Sequence, residues 1–401
     1  MGPWSWFPSV LFSFGFPQRR HCVSIHFTFG LTFLGFMAAL STRLLISLLA
    51  LEQGAPPATV GILTSILALF PLALSFLIGN LADRYGSRWL LVFSAATTAC
   101  GLLIPVFVTG VGALYFTALL AGLGFSANTV VLQNLVGIQS KPEERTRNFS
   151  NYSLVTASCL LLSPLLTGAL VEFAGRAPAC LYVGTLNGCS ILMLLVWGGR
   201  LPPGSGRAKA PGEKATIGGG RDMWRALAVS TCVQLSVDLF QFCIPVYGHN
   251  IGLTASEIGL VMGGFAAAAF VARVAMPRMI ARLGELRLLA WSFWLGAAAF
   301  LLIPLSHSVA VLSLISFAFG IGMGCSTPLS IMLMFSHSPE GRSGGALGLR
   351  LTANNTLRVI GPTLFGAIGS VFGLLPIFVI SAAVMAAGGM LSRAGVPRQR
   401  R

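Results

Sequence analysis

The chain has 401 residues, of which 55% are apolar and only 9% charged, against roughly 25% charged in an average soluble domain. That composition cannot build a water-facing surface over this length, so the chain is a polytopic membrane protein. Its net charge of +15 does not indicate nucleic acid, because the basic residues form neither a patch nor a stripe interleaved with aromatics.

The first 20 residues are rich in Trp, Phe and Pro, and Arg19-Arg20 follows their apolar part instead of preceding it. This is the wrong order for a cleaved signal peptide, and residues 1–25 read as a cytoplasmic extension or an over-long start. Apolar runs long enough for a helix to cross a hydrocarbon core follow at 26–48, 57–80, 89–109, 111–137, 149–172 and 178–197. They form an amino-terminal six-helix bundle, 26–198. A Pro/Gly/Lys/Arg-rich cytoplasmic linker at 199–222 leads to six further runs, at 224–247, 256–277, 288–306, 308–335, 344–370 and 373–392. These form a carboxyl-terminal bundle, 223–393, with a basic tail at 394–401. Long unbroken apolar runs exclude a β-barrel, whose strands alternate polar and apolar.

Lys and Arg fall in alternate loops, and on the opposite side only the loop holding Arg176 carries one. The positive-inside pattern therefore places both termini in the cytoplasm. The eight cysteines show no Cys-x-x-Cys spacing, so neither disulfides nor a metal site are expected. The sequons at Asn148, Asn151 and Asn354 lie on the cytoplasmic side or within a span, where glycosylation is not expected.

The two halves repeat. Gly54, Gly61, Arg84 and Gly86 recur as Gly252, Gly259, Arg282 and Gly284, each 198 residues later, as do Gly122, Gly124, Pro164 and Gly168 as Gly320, Gly322, Pro362 and Gly366. Leu102-Leu103-Ile104-Pro105 returns as Leu301-Leu302-Ile303-Pro304 at 199, which implies one inserted residue near Glu285. After the second span comes Gly79-Asn80-Leu81-Ala82-Asp83-Arg84-Tyr85-Gly86-Ser87-Arg88, a Gly-x-x-x-Asp-Arg-x-Gly-x-Arg loop in a chain almost free of charge.

Twelve spans in two six-helix repeats, a long central loop and this motif make the chain resemble the major facilitator superfamily over residues 25–395. Ser87 stands where that family often has another basic residue, and in the second copy Pro277 and Ala281 replace the first Gly and the acidic residue. The resemblance implies an all-α membrane fold of twelve transmembrane helices in two pseudo-symmetric bundles, a monomer in the lipid bilayer, and alternating access around a site near the midplane. It also implies a conformational role for Gly79, Asp83, Arg84, Gly86, Arg88, Arg282 and Gly284. In the family the acidic residue, here Asp83, meets the start of the eleventh span, near Ser343 to Gly345, and holds one state; the competing reading is solvated loop charge. Ser163-Pro164 and the Gly361-to-Gly366 segment are either hinges or small-residue packing with a Pro kink.

An ionisable residue inside a span costs about 2.5–3.5 kcal/mol on insertion scales and is functional by default. Arg43, Asp238 and Arg358 lie 14–17 residues from the cytoplasmic ends of the first, seventh and eleventh spans, roughly 21–26 Å in, so they meet at one level. Gln234, Asp238 and Gln241 share one helix stripe, Arg350, Asn354 and Arg358 another, and the fourth span adds Asn128, Gln133 and Asn134. Two readings stay open: Arg43 and Arg358 bind an anionic group while Asp238 carries a proton or serves as counter-ion, or Arg43 and Asp238 form a structural ion pair. Arg273, one turn from Pro277, is expected to snorkel toward the cytoplasmic interface more than to bind.

The expectation is thus a secondary active transporter of a small-molecule substrate, proton-coupled, with an organic anion favoured and a proton or counter-substrate as partner; if Asp238 is instead locked between arginines, the chain is a uniporter or an anion exchanger. The alternative is efflux of lipophilic compounds by proton antiport, although the first span has no acidic residue and the fourth no arginine for it. A third alternative, a non-transporting sensor or scaffold, has no soluble domain to carry a signal. No enzyme and no cofactor are expected: there is no phosphate-binding Gly-x-x-x-x-Gly-Lys-Ser/Thr loop, no histidine pair for a metal and no catalytic context for Ser or Cys. The Ala/Gly/Leu-rich style and compact loops suggest a bacterial inner membrane.

Overall fold

A computed structural model of the chain describes residues 25–140, 144–201, 221–336 and 343–393. The expected extension, linker and tail therefore lie almost wholly outside the described residues. The described residues fold into twelve long helices: α1 (Ile25–Glu52), α2 (Pro57–Tyr85), α3 (Ser87–Phe107), α4 (Val111–Gln139), α5 (Arg145–Ala174), α6 (Arg176–Trp197), α7 (Arg221–Asn250), α8 (Ala255–Leu283), α9 (Glu285–Leu302), α10 (Val309–Ser336), α11 (Ser343–Phe372) and α12 (Leu375–Arg393). Eleven are long and apolar enough to cross a membrane. The run of α11 is broken by Arg350, Asn354, Asn355 and Arg358 and diluted by glycine. Large apolar side chains stay exposed on the outside, among them Phe107, Phe116, Phe173 and Leu314, the surface a hydrocarbon solvent calls for.

Local chemistry sets the helix ends. Pro57 opens α2, where a missing N–H costs nothing. α8 opens on a capping box: Thr254 accepts from the Glu257 N–H while Glu257 accepts from the Thr254 N–H. The one-residue turns between α2 and α3 and between α8 and α9 are made by Gly86 and Gly284, at φ 85° and 76°, a region that side chains with a Cβ rarely enter.

The repeated glycines mark repeated helix crossings. At the end of the bundle opposite the termini, α2 crosses α11 and α5 crosses α8. There Gly61 faces the Pro362 carbonyl and Gly259 the Pro164 carbonyl, each too closely for a Cβ. Within the halves, a Cβ on Gly124 would lie 2.5 Å from the Ser94 carbonyl oxygen, and one on Gly322 would lie 2.8 Å from that of Ser292. The partners repeat as well, 198 residues apart.

The principal contacts between the halves are α2–α11, α5–α8, α1–α7 and α2–α7. A single apolar core joins both halves toward the far end, through Leu45 and Leu49 of α1, Val60 and Leu63 of α2 and the Phe240, Phe265, Phe300 and Phe319 cluster. Toward the terminal end the amino-terminal half keeps a separate core around Leu31, Ile78, Leu91, Val131 and Leu135. The bundle is thus sealed at the far end, and its halves have separate cores at the end bearing the termini.

Candidate functional site

A cavity of about 350 Å³ lies between the halves below that seal, and its charged lining residues are Arg43, Asp238, Arg273 and Arg358. Three of them come from the level that counting along the spans indicates, since Arg43, Asp238 and Arg358 sit 18, 17 and 15 residues into α1, α7 and α11. Arg43 Nη1 is 3.4 Å from Asp238 Oδ1, and Arg358 Nε is 3.2 Å from Oδ2. Gln234 donates to Oδ2 at 2.9 Å, and Arg43 Nη1 also donates to Gln241 Oε1 at 2.8 Å. Both carboxylate oxygens are therefore occupied, and the Asp238 side chain is only 3% exposed, whereas 26% of Arg43 and 37% of Arg358 remain accessible. Guanidinium surface, not carboxylate surface, faces the cavity.

The opposite wall carries amides and aromatics. Asn128, Thr129 and Gln133 of α4 line it, with Asn128 Nδ2 and Thr129 Oγ1 buried and without a partner. The Asn128 amide fits because α1 has glycine at 35; a Cβ there would lie 2.5 Å from it. Phe36 packs edge-on against Phe125 and Tyr152, at centroid distances of 6.4 and 6.0 Å.

Seven of the eight expected binding residues line this cavity: Arg43, Asn128, Gln133, Gln234, Asp238, Gln241 and Arg358. Asn354 does not; it is buried on α11, its Oδ1 without a partner. Arg273 departs from the snorkelling expected of it. It lines the cavity and donates from Nε to the Gly324 carbonyl at 3.3 Å, because it falls seven and fourteen residues after Ala266 and Gly259, on the face α8 turns toward the other half. That spacing is the signal in the sequence that marks it. Arg350, one stripe position from Asn354, is buried among hydroxyls and donates to Ser230 and Ser330 of α7 and α10. Three ion pairs form among the described residues, two on Asp238 and one between Arg147 and Glu144, so Arg273 and Arg350 have no acidic partner there.

At the terminal end, Arg88 donates to the Leu194 and Leu195 carbonyls at 3.1 and 3.0 Å. Its cation satisfies acceptors in the last turn of α6 and ties α3 to α6 within one half. Arg84 lies over the Tyr85 ring, and Arg282 is exposed beside the Gly284 turn. The expected contact of Asp83 with Ser343 to Gly345 falls on side chains outside the described residues.

The family model described as the Major Facilitator Superfamily matches residues 28–233 and 226–401. The chain is 23% identical over 335 residues to Quinolone resistance protein NorA of Staphylococcus aureus strain MSSA476, covering 82% of this chain and 85% of that one. It is 25% identical over 340 residues to Multidrug resistance protein MdtG of Dickeya zeae strain Ech586, covering 81% of each. Among solved structures, the nucleoside transporter NupG superposes with a TM-score of 0.74 at 13% identity, over 93% of this chain and 99% of that one. The peptide transporter POT in complex with sulfate does so with 0.74 at 14%, over 93% and 94%.

Proposed function

The chain belongs to the Major Facilitator Superfamily and is a secondary transporter, and from that premise we propose that its cargo is a small organic anion held by Arg43 and Arg358. The observation that carries the reading is one buried carboxylate facing three guanidiniums on the cavity wall. An anionic group entering the cavity meets the accessible faces of Arg43 and Arg358, where paired N–H donors suit a carboxylate or phosphate. In the empty carrier Asp238 is their counter-ion. Asp238 is the one acidic residue lining the cavity among the described residues, and so the group that a test of proton coupling addresses.

We place both termini in the cytoplasm of a bacterial plasma membrane, on the strength of the basic loops. The far end is then the outer end, the conformation is inward-facing, and the α2–α11 and α5–α8 crossings form the outer gate. Each chain carries both halves of the pathway and works as a monomer.

A second reading, efflux of lipophilic compounds by proton antiport, is favoured by the names of the relatives, which are those of quinolone and multidrug resistance proteins, and by the Phe36 and Phe125 wall. One experiment separates the two. Purified protein in proteoliposomes with an interior pH dye is challenged with small carboxylates and phosphates, and separately with lipophilic cations, in wild type and Asp238→Asn. Anion-dependent proton flux that vanishes in the variant supports the anion reading. Flux evoked only by cations replaces it with the efflux reading. Anion counterflow that survives in Asp238→Asn without a pH change keeps the anion and removes the proton.

A further inference from the structure

We infer that the cargo carries two separated negative charges: the cavity is built for an elongated organic dianion, with Arg273 receiving the second acidic group. This rests on the anion reading above and adds the charge and length of the cargo.

The charged groups lining the cavity are three arginines and one aspartate. Carried as ions, they leave two positive charges. The two lie in different places. Asp238 engages both oxygens with Arg43 and Arg358, so that cluster keeps one positive charge. Arg273 keeps the other: none of the ion pairs among the described residues includes it, and its one hydrogen bond goes to the neutral Gly324 carbonyl at 3.3 Å.

The separation runs along the pathway. Arg273 is ten residues from the terminal end of α8, against 15 for Arg358 on α11 and 18 for Arg43 on α1, or roughly 15, 22 and 27 Å from that end. The second positive pole is thus about 7–12 Å nearer the open end. A monoanion neutralises one pole and leaves the other without a counter-charge in a low-dielectric cavity. A compact dianion such as phosphate crowds both charges onto the deeper pole. A linear dicarboxylate, or a chain with a phosphate at one end and a carboxylate at the other, neutralises both. Arg350 does not enter the count, since it lies outside the cavity wall, enclosed by Ser230 and Ser330.

The test is exchange of labelled adipate and labelled hexanoate by proteoliposomes, with competition by succinate, azelate and inorganic phosphate. In wild type adipate exchanges at least about tenfold faster than hexanoate, azelate competes better than succinate, and phosphate competes poorly. In Arg273→Gln the adipate-to-hexanoate ratio falls toward one, and Arg273→Lys, which keeps the charge, restores most of it. A wild-type ratio near one overturns the inference while leaving an anion carrier. A high ratio unmoved by Arg273→Gln overturns the assignment to Arg273. Failure of every anion, with lipophilic cations exchanging through the same protein, overturns the anion reading and this inference together. The wild-type ratio needs no variant, so a misfolded Arg273→Gln cannot hide the result.

Discussion

The two halves place their glycines alike and their charges differently. Gly61 packs on the Pro362 carbonyl, and Gly259, 198 residues later, packs on the Pro164 carbonyl; Gly366 approaches Pro57 as Gly168 approaches Ala255. Arg84 recurs as Arg282 at the terminal end, but the charged positions in and beside the cavity have no such echo. Asp238, Arg273, Arg350 and Arg358 stand 198 residues after Leu40, Ser75, Tyr152 and Leu160. Arg43 and Gln241 do correspond, and they meet across the pseudo-axis in a 2.8 Å hydrogen bond. Residues that shape the backbone repeat because both halves must cross each other in the same way. The charged residues lining the cavity do not, which agrees with the proposal that they hold one cargo, since a single cargo has no symmetry to match.

The largest effect is expected where the halves are most alike. A valine at Gly61 or at Gly259 puts side-chain carbon where a backbone carbonyl already lies, and neither crossing can close. Both Gly61→Val and Gly259→Val should reduce counterflow to about 1% of wild type or less, the loss of closure costing a few kcal/mol. With Ala39→Cys added on the cavity wall, a cysteine-reactive reagent applied from the far side should then label both variants. Transport surviving in one and lost in the other would break the equivalence of the two crossings.

Next in size is loss of the unmatched carboxylate. Asp238→Ala leaves Arg43 and Arg358 facing each other with no counter-ion, and because both guanidiniums are partly accessible the cost falls below the about 3–5 kcal/mol of a fully buried pair. Counterflow should fall about a hundredfold, with a lower midpoint in a thermal-unfolding assay in detergent. Asp238→Asn, which keeps the Gln234 contact and the volume, should lose less stability. An Asp238→Ala protein as stable as wild type would mean that the arginines are already solvated.

The corresponding pair allows a finer test. Arg43→Gln should slow anion exchange about thirtyfold, by loss of one charge-assisted contact of about 1.5–3 kcal/mol. The double variant Arg43→Gln/Gln241→Arg moves the guanidinium to the symmetry-related position across the same hydrogen bond, and exchange should recover to within about fivefold of wild type. No recovery would show that the cavity needs the arginine on α1, and that the pseudo-axis does not run where Arg43 and Gln241 touch.

The same contrast separates what a sequence can show from what it cannot. Helices are legible because an apolar run in lipid has few alternatives. They extend past those runs, as in α5 (Arg145–Ala174) and α7 (Arg221–Asn250), because polar first turns continue into the interface. The convergence of Arg43, Asp238 and Arg358 is legible because depth along a helix follows from counting residues. Rotation about the axis is not, and there the sequence misleads: nearness to Pro277 points Arg273 to the interface, and a place between two arginines points Asn354 to the site. The glycine spacing is plain, but a one-dimensional repeat does not say which carbonyl each glycine meets.

The smallest expected effect lies at one more matched pair, where the two crossings differ in chemistry alone. On one crossing the Ser370 hydroxyl accepts the Ala58 N–H at 2.9 Å; on the other a Glu172 carboxylate oxygen accepts the Ser256 N–H at the same distance. Residues 58 and 256, like 172 and 370, are 198 apart. Each acceptor satisfies a free N–H at the start of a helix in the opposite half, and only Glu172 adds a negative charge at the positive end of a helix. Glu172→Gln should therefore shift the equilibrium away from far-end closure by about two- to threefold, read as a change in the populations of spin-label distances between the far ends of α5 and α8. Ser370→Ala should shift it less, and Ser370→Glu should favour closure. If Glu172→Gln, which keeps an acceptor oxygen for the Ser256 N–H, left the equilibrium unmoved, the carboxylate would be acting only as a hydrogen-bond acceptor, and the two crossings would be alike in energy as well as in shape.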